Sequence, residues 1–506
     1  MEFTEKDREL FKKLGIKEEQ ILWQIEMFKK GTPYLKLLRP CKIGDGIIKI
    51  EEEEARYLAR FYEENSRGLK KVKFVPASGA ATRMFKAEMK FFEIADDIDR
   101  IRNLAEKDQD ARDFLVFVEK LKEFAFYDEL KIVMEKDGYD IERFIKEKRF
   151  KKILEYILTE KGLNYGRLPK AFIKFHRYPD ETRTAFEEHL VEAVFYVKED
   201  KLCLVHFTVS PGHEERFKEF SEKIRGKYEK RFSVRYRIDF SVQKRSTDTI
   251  AVDMNNNPVR MEDGSLLFRP GGHGALIYNL NSIDADLIFI KNIDNVLPDR
   301  IKPVVSFWKK VLAGYLLKIK EKIDGFLKRL EKGEDDLVNE AIDFCRRFLN
   351  VNISERDPET VRRFLDRPLR VCGMVRNVGE PGGGPFWVED KKGRVSVQIV
   401  ESAQVDMNSE EQKNIFFSAT HFNPVDIVCS VKDWKGRKYD LMKYVDKDAV
   451  FITVKSTDGK EIKALEYPGL WNGGMAYWNT VFVEVPEITF SPVKKVIDLL
   501  KEGHRV

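Results

Sequence analysis

Two short runs constrain this chain more than any other feature. Leu202-Cys-Leu-Val-His-Phe-Thr-Val and Ala285-Asp-Leu-Ile-Phe-Ile-Lys-Asn are almost continuously apolar, as strands covered on both faces must be. Between and before them, strand and helix patterns alternate. Ala171–Phe175 reads as a strand, Thr184–Val197 as a helix, 213–227 as a second helix and Ser233–Ser241 as a further strand. Alternation at this spacing implies βαβ units and a mainly parallel sheet. Helical sequence surrounds this pattern. Residues 1–70 have a helical character, with Tyr57, Leu58, Phe61 and Tyr62 on one stripe, and 85–160 is charge-rich, with neither Gly nor Pro from 84 to 137. The stretch 304–367 carries another stripe through Trp308, Val311, Leu312, Tyr315 and Leu316. Strand-like, glycine-rich sequence follows Pro368, and a closing helix is expected at Pro492–Lys501. The expected architecture is α/β: a mainly parallel sheet flanked by helices in one core from 71 to about 500. An N-terminal helical cap (1–70) and helical insertions at 85–160 and 304–367 decorate that core.

Composition narrows the function classes. With 42% hydrophobic and 35% charged residues, the chain can bury a core beneath an ionised surface, which excludes disordered and fibrous classes. Its 91 Lys and Arg against 86 Asp and Glu leave a net charge of +5, too little over 506 residues to signal nucleic-acid binding. No apolar run approaches the eighteen or so residues of a membrane span, and the first residues mix both charge signs, unlike a secretory leader. Five scattered cysteines without CxxC spacing read as reduced thiols, which points to a cytoplasmic location.

Several segments could carry chemistry. Phe74-Val-Pro-Ala-Ser-Gly-Ala-Ala-Thr-Arg is a strand that delivers small residues to a helix start. There, backbone N–H groups can approach phosphate and Arg83 can add a charge-assisted fork, although a tight connection would read the same. Neither GxxxxGK[ST] nor GxGxxG spacing is present. Lys170 follows Pro169 and precedes a strand, so it is either a pocket lysine or a solvated one. Gln243 carries donor and acceptor on one amide, as reading a base edge requires. Gly271, Gly272 and Gly274 surround His273, so a backbone must bend sharply there or come close to something. Asp294 ends a buried-type strand, where open α/β sheets bind ligands and a carboxylate can hold Mg²⁺ together with substrate phosphates, or merely close an Asx turn. Two later glycine-rich pieces, 373–387 and 468–480, mix Trp, Asn, Glu and Arg in a composition that suits a sugar pocket or a bulged hairpin. HExxH and GxSxG are absent.

The order of these pieces resembles the nucleotide-diphospho-sugar transferase superfamily, and within it the UDP-sugar pyrophosphorylases. They run as a Thr-Arg-Met loop, Pro-Lys, strand–helix–strand, a Gln-bearing strand, Gly-Gly-His-Gly and Asn-Ile-Asp-Asn. Thr184–Ala193 and Pro381–Trp387 also look like an uncharacterised bacterial family of that superfamily. The resemblance covers about 70 to 500 and implies a GT-A, Rossmann-like nucleotidyltransferase fold. A nucleotide-binding half would occupy 71–303 and a sugar-binding part 368–506. It further implies that Ala77, Ser78, Gly79, Ala80, Ala81 and Thr82 hold a nucleoside triphosphate, and that Arg83 and Lys170 are catalytic. Gln243, Gly271 and Gly272 would read the base. Asn377, Glu380, Gly383, Glu401 and Asn472 would contact the sugar. Asp294 would bind Mg²⁺, with Asn479 or, failing that, Asp406 completing its shell.

The expected reaction is transfer of a uridylyl group from UTP to a sugar-1-phosphate. It needs cations more than an acid or base, because the attacking phosphate is already ionised. A glycosyltransferase consuming an NDP-sugar, and a silent sugar-nucleotide-binding protein, are the alternatives. Asp284-Ala-Asp286 has the DxD spacing the first would need. Two departures from the family pattern stand out. Alanines replace glycines in the phosphate loop, and Arg83 and Lys170 lie far apart in the chain. The oligomeric state stays open.

Overall fold

The computed structural model describes residues 3–379, 383–457 and 460–506, and the chain divides into two units. The first comprises Met1–Phe74, Ser241–Ile290 and Trp308–Val485; the second comprises Val75–Phe240, Lys291–Phe307 and Pro486–Val506.

In the first unit, seven strands follow the spatial order Lys42–Ile43, Gly46–Ile48, Asn479–Glu484, Leu369–Arg376, His421–Ser430, Leu287–Lys291 and Lys71–Pro76. Most neighbouring pairs are parallel. Leu369 lies opposite Asn479, Phe482 opposite Ile47, and Leu287 opposite Lys71. Leu369–Arg376 runs antiparallel to His421–Ser430. The apolar reading of Leu287–Ile290 is explained by complete burial. Helix Lys302–Glu331 packs its Gly314 onto helix Glu52–Asn65 so closely that a Cβ would sit 2.0 Å from Leu58 O, so only glycine fits there. The N-terminal helices Glu5–Leu14 and Glu18–Lys30 bury Phe11, Ile21 and Ile25 against Ile250, Val252 and Leu465 of a four-stranded sheet.

The helical expectation for 1–70 fails over residues 36–48. Lys36–Pro40 is a strand antiparallel to Gly384–Glu389, and the next two short strands join the large sheet. Gly44 and Gly46 take positive φ between them, a turn signal that the surrounding helical sequence masked.

The second unit contains the other apolar run as strand Leu202–Val209, with helices Ala185–Ala193 and Glu214–Phe232. Unlike 287–291, this strand is not covered on both faces throughout, since Leu202 is exposed and Leu204 and His206 are half-buried. Helix Ala185–Ala193 is buried along its whole length and starts with a capping box between Thr184 and Glu187. The expected helix to Val197 ends four residues earlier, at Ala193. The strand expected at Ala171–Phe175 begins at Lys174 instead. Pro169 leads into a 3-10 turn over Lys170–Phe172 that takes the lysine inward. The closing helix is a 3-10 turn, Val496–Leu500, and 86–158 is helical as expected, in short pieces. All five cysteines are free and buried. Among the described residues, no helix is long and apolar enough to cross a membrane.

One buried acid in the helical stretch has no hydrogen-bond partner among the described residues. Glu88 is 1% exposed and neither carboxyl oxygen is bonded; burial, aided by Asp113 and Asp110, pushes its pKa up to about 8. Between pH 4.5 and 8 the unfolded chain releases a proton that the folded chain retains, so stability falls across that window and then levels. Glu88→Gln therefore matches the parent near pH 4.5 and exceeds it increasingly towards pH 8, by a few kcal/mol at about 1.4 kcal/mol per pKa unit. Melting temperatures of both proteins across that range check this, and parallel curves would contradict it.

Candidate functional site

The second unit holds a site assembled from four distant stretches of chain. Strand Lys71–Pro76 opens into the loop 77–80, which leads into a 3-10 turn at Ala81–Arg83. Ala77 is buried and donates to Thr208 O, while Ser78 O accepts from Ser210 Oγ at 2.9 Å, so the loop is clamped at its base. Above that base Ser78, Gly79 and Ala80 are exposed, and among the described residues their N–H groups have no hydrogen-bond acceptor. Gly79 does not have a positive φ, and a Cβ there would meet nothing within 4 Å. The protein's own packing therefore does not require a glycine. Thr82 and Arg83 are exposed beside the loop, and no carboxylate pairs with Arg83 among the described residues.

Arg83 and Lys170 are far apart in sequence, yet their segments touch. Ala80 bridges Pro169, Lys170 N donates to Gly79 O at 3.1 Å, and Ala81 N donates to Leu168 O at 3.0 Å. The helices from 86 to 158 leave and return between these contacts, so they form an excursion from the site. The Lys170 ammonium is buried and donates to Val493 O at 2.8 Å and to Asp294 Oδ2 at 3.1 Å. A second ammonium, Lys494, reaches the same Oδ2 at 3.1 Å. Ile293 N bonds Pro76 O and Val493 N bonds Asp294 O, so the backbone fixes the carboxylate's position.

Electrostatics keep Asp294 ionised. Burial pushes its carboxyl up, but Lys170 and Lys494 together outweigh that and hold it below its ordinary value. Burial pulls Lys170 below its ordinary value, with Asp294 opposing. Lys494 is a site residue that the sequence does not mark. Nothing local marks it, because Pro492-Val-Lys-Lys reads as an ordinary helix start; only the return of 486–506 to the strand end at Asp294 reveals it.

The remaining expected residues lie in the first unit, and several have evident duties within their own fold. Gly271, Gly272 and Gly274 are needed because the 466–468 segment runs against them: a Cβ would meet Tyr467 Cδ2 at 2.6 Å, Glu466 Oε2 at 2.6 Å and Pro468 O at 2.2 Å, and at Gly271 also Thr247 O at 2.4 Å. Gln243 donates to Thr247 Oγ1 at 3.3 Å. Asn472 is buried, giving its amide hydrogens to Ile399 O and Gln404 Oε1. Glu401 caps a short turn with Gln404, 3.9 Å from the imidazole of His273. A Cβ on Gly383 would come within 2.9 Å of Ile399. Asn377 Oδ1 accepts from Gly379 N, and Glu380 lies outside the described residues. Asn479 is buried, with Nδ2 on Leu365 O, and Asp406 closes an Asx turn on Asn408 N. Asp284 and Asp286 both bind Lys432, and Asp284 also binds Lys70.

A family profile described as "Domain of unknown function (DUF4301)" matches residues 4–505. The chain belongs to that family. No curated protein matches this DUF4301 chain. Among solved structures, it resembles a uridine diphosphate N-acetylglucosamine pyrophosphorylase from Trypanosoma brucei at 11% identity and a TM-score of 0.49, over 98% of this chain and 79% of that one. A UDP-glucose phosphorylase from Trypanosoma brucei gives 14% and 0.45, over 98% and 77%. A point mutant of UDP-glucose pyrophosphorylase from Leishmania major, in complex with UDP-glucose, gives 12% and 0.44, also over 98% and 77%. These scores lie below 0.5, so the functional reading of the DUF4301 chain rests on its own residues.

Breaking the buried pair separates the two lysines. Lys170→Met takes the buried ammonium away from the buried Asp294 carboxylate and costs about 3 kcal/mol of stability. Lys494, whose side chain is half exposed, loses under about 1 kcal/mol on change to Met. Denaturant midpoints decide this, and equal losses would show that burial does not distinguish the lysines.

Proposed function

We propose that this protein is a nucleotidyltransferase that moves a uridylyl group from UTP to a sugar-1-phosphate. The observation that carries the reading is the meeting of the 77–83 loop with Pro169-Lys170 and Asp294. Chain segments far apart in sequence converge in the order expected of such a site, with free N–H groups and two ammonium groups around one carboxylate.

The chemistry such a group can do is electrostatic. An oxygen of the sugar phosphate attacks the α-phosphorus of UTP. The bond from that phosphorus to the oxygen bridging to the β-phosphorus breaks, and pyrophosphate leaves with both bonding electrons. No proton has to move, so the site can work through cations alone. The exposed N–H groups of Ser78, Gly79 and Ala80, with Arg83, would hold the β- and γ-phosphates. Lys170 would face the phosphates drawn together in the transition state, and Lys494 adds positive charge beside it. The alanines at 80 and 81 are compatible with this role, because the loop offers N–H groups from an extended backbone that needs no positive φ.

Asp294 keeps Oδ1 free of protein partners among the described residues, so the carboxylate could also hold Mg²⁺. No cluster of three or more His, Cys, Asp or Glu among the described residues is arranged for a metal, so substrate phosphates would have to supply most of the shell. The ion would supply charge neutralisation on those phosphates. Gln243, with Gly271 and Gly272, is the proposed reader of uracil, and Asn377, Gly383, Glu401 and Asn472 are proposed to contact the sugar. The glycosyltransferase alternative is weakened because both carboxylate oxygens of Asp284 and of Asp286 are already bonded to Lys70 and Lys432, whereas Asp294 keeps one oxygen free among the described residues.

Incubation with UTP, Mg²⁺ and a panel of sugar-1-phosphates is expected to release pyrophosphate. Arg83→Ala, at an exposed and unpaired side chain, should preserve the melting temperature and lower kcat/KM about 100-fold or more. Binding of UTP without turnover for any sugar phosphate would favour the silent binding protein. An Arg83→Ala variant of full activity would remove that residue from the site.

A further inference from the structure

A second concentration of positive charge lies in the first unit, around a cavity of about 530 Å³. Six cationic and two acidic side chains line it. The acids do little to neutralise it: Glu359 faces Arg362 at 3.9 Å, and Asp366 accepts from Tyr439 OH at 2.6 Å. Arg394 is paired with Asp390 at 2.6 Å. Arg363, Arg367, Lys392 and Lys443 have no carboxylate partner among the described residues, although ion pairs are plentiful elsewhere on this chain.

Arg367 is the most constrained of these. It stacks on the Phe364 ring at 4.3 Å and donates Nε to Arg363 O at 2.9 Å, which fixes the guanidinium plane and leaves its terminal nitrogens to the cavity side chains. Burial, and then the charge of Arg394, pull its pKa down to about 10. A guanidinium so placed is stabilised by an anion and by little else. Lys392 and Lys443 are exposed at the rim and come from different segments, so their ammonium groups can close on a ligand from two sides.

The cavity adjoins another of about 540 Å³, sharing Arg367, Lys392, Arg394 and Tyr477 with it. That neighbour is lined by uncharged polar groups as well, among them Asn352, Ser396 and Gln398. A cationic mouth opening onto a recess that mixes amides and a hydroxyl with the carboxylates of Glu389, Asp390, Asp446 and Asp448 matches a molecule with a phosphate at one end and a hydroxylated body at the other, because carboxylates and amides accept from hydroxyls.

We propose that this cavity binds a phosphate-bearing small molecule, with Arg367, Lys392 and Lys443 holding the phosphate. The three phosphate-holding cations lie in the first unit and are not among the residues proposed for nucleotidyl transfer, so phosphate binding here does not depend on that reading, although Asn472, proposed there to contact the sugar, also lines the adjoining recess.

Calorimetric titration of the full chain with inorganic pyrophosphate at physiological ionic strength tests the phosphate position. Saturable binding is expected, retained in Arg83→Ala and weakened at least tenfold in Arg367→Ala/Lys443→Ala. The latter variant should melt at the parent temperature or above, because like-charge crowding is relieved; Lys392→Ala, at an exposed position, gives a milder loss that does not depend on folding of the double variant. Ribose 5-phosphate should bind and ribose should not. The proposal is overturned if Arg83→Ala abolishes all pyrophosphate binding, if Arg367→Ala/Lys443→Ala binds as the parent does, or if ribose binds as well as its phosphate. Tighter binding of a single-stranded oligonucleotide at equal phosphate concentration would also overturn it, assigning the surface to nucleic acid.

Discussion

The second unit is organised around a carboxylate that water does not reach. Glu188 accepts from His176 Nδ1 and Tyr178 OH at 2.8 Å each, pairs with Lys302 and lies 3.6 Å from Arg183. Burial opposes its ionisation, but Lys302, His176 and Arg183 together hold it well below the ordinary carboxylate range. From His176 the chain of bonds continues through His504 Nδ1 at 2.9 Å to Ser491 O at 2.8 Å. Ser491 O can only accept, so His504 donates through Nε2, and burial, which pulls its pKa down to about 3, keeps it neutral and receiving at Nδ1; His176 must then donate at Nε2 while facing a carboxylate at Nδ1. That pattern balances only if one proton beyond the neutral-imidazole count is held between Glu188 and His176. Burial favours a neutral imidazole at His176, whereas the Glu188 carboxylate favours the charged one. Removing one member would leave a buried charge or donor unmatched, which is far costlier than replacing the whole set by apolar residues.

This network explains how helix Ala185–Ala193 can be fully buried while carrying Glu187, Glu188, His189 and Glu192. Glu187 caps the helix and accepts from Tyr228 OH, His189 meets Ile293 O, and Glu192 pairs with Lys291. Two of those partners flank the strand end that presents Asp294. The helix therefore fixes the strand end, and the strand end fixes the carboxylate that Lys170 and Lys494 share. Rigidity at the site is thus inherited from polar groups in the interior, not from the exposed loop that would meet a substrate.

How much of this could be read from sequence follows from the range of the interactions involved. The strand at 287–291 and the small-residue loop at 77–82 were legible, because burial on both faces and a run of small side chains are local signals. The nearness of Arg83 to Lys170 was legible only as an order of motifs. The helical stretch 86–158 obscures it in the sequence, while in the fold the two segments are joined by two backbone hydrogen bonds either side of Ala80 and Pro169. Strands at 36–48 leave no clear sequence signal because they are short and lie between strong helices. The glycines around His273 suggested a close approach, and there is one, although the neighbour is Glu466–Pro468 of the same chain. Lys494 was illegible, since a lysine after Pro-Val carries no pattern until the tertiary fold brings it to a carboxylate 200 positions earlier.

The contribution of residues 486–506 has a consequence for the order of assembly. The loop at 77–83 is made early and Lys494 roughly four hundred residues later. At 5–20 residues per second, about 20–80 s of synthesis separates them. Until that segment emerges, Lys170 lacks its bond to Val493 O, Asp294 lacks one of its two lysines, and His176 faces no His504. A nascent chain therefore carries the exposed 77–83 loop without the groups that complete the Lys170–Asp294 cluster, and the charged interior beneath it becomes balanced only once 486–506 has been made.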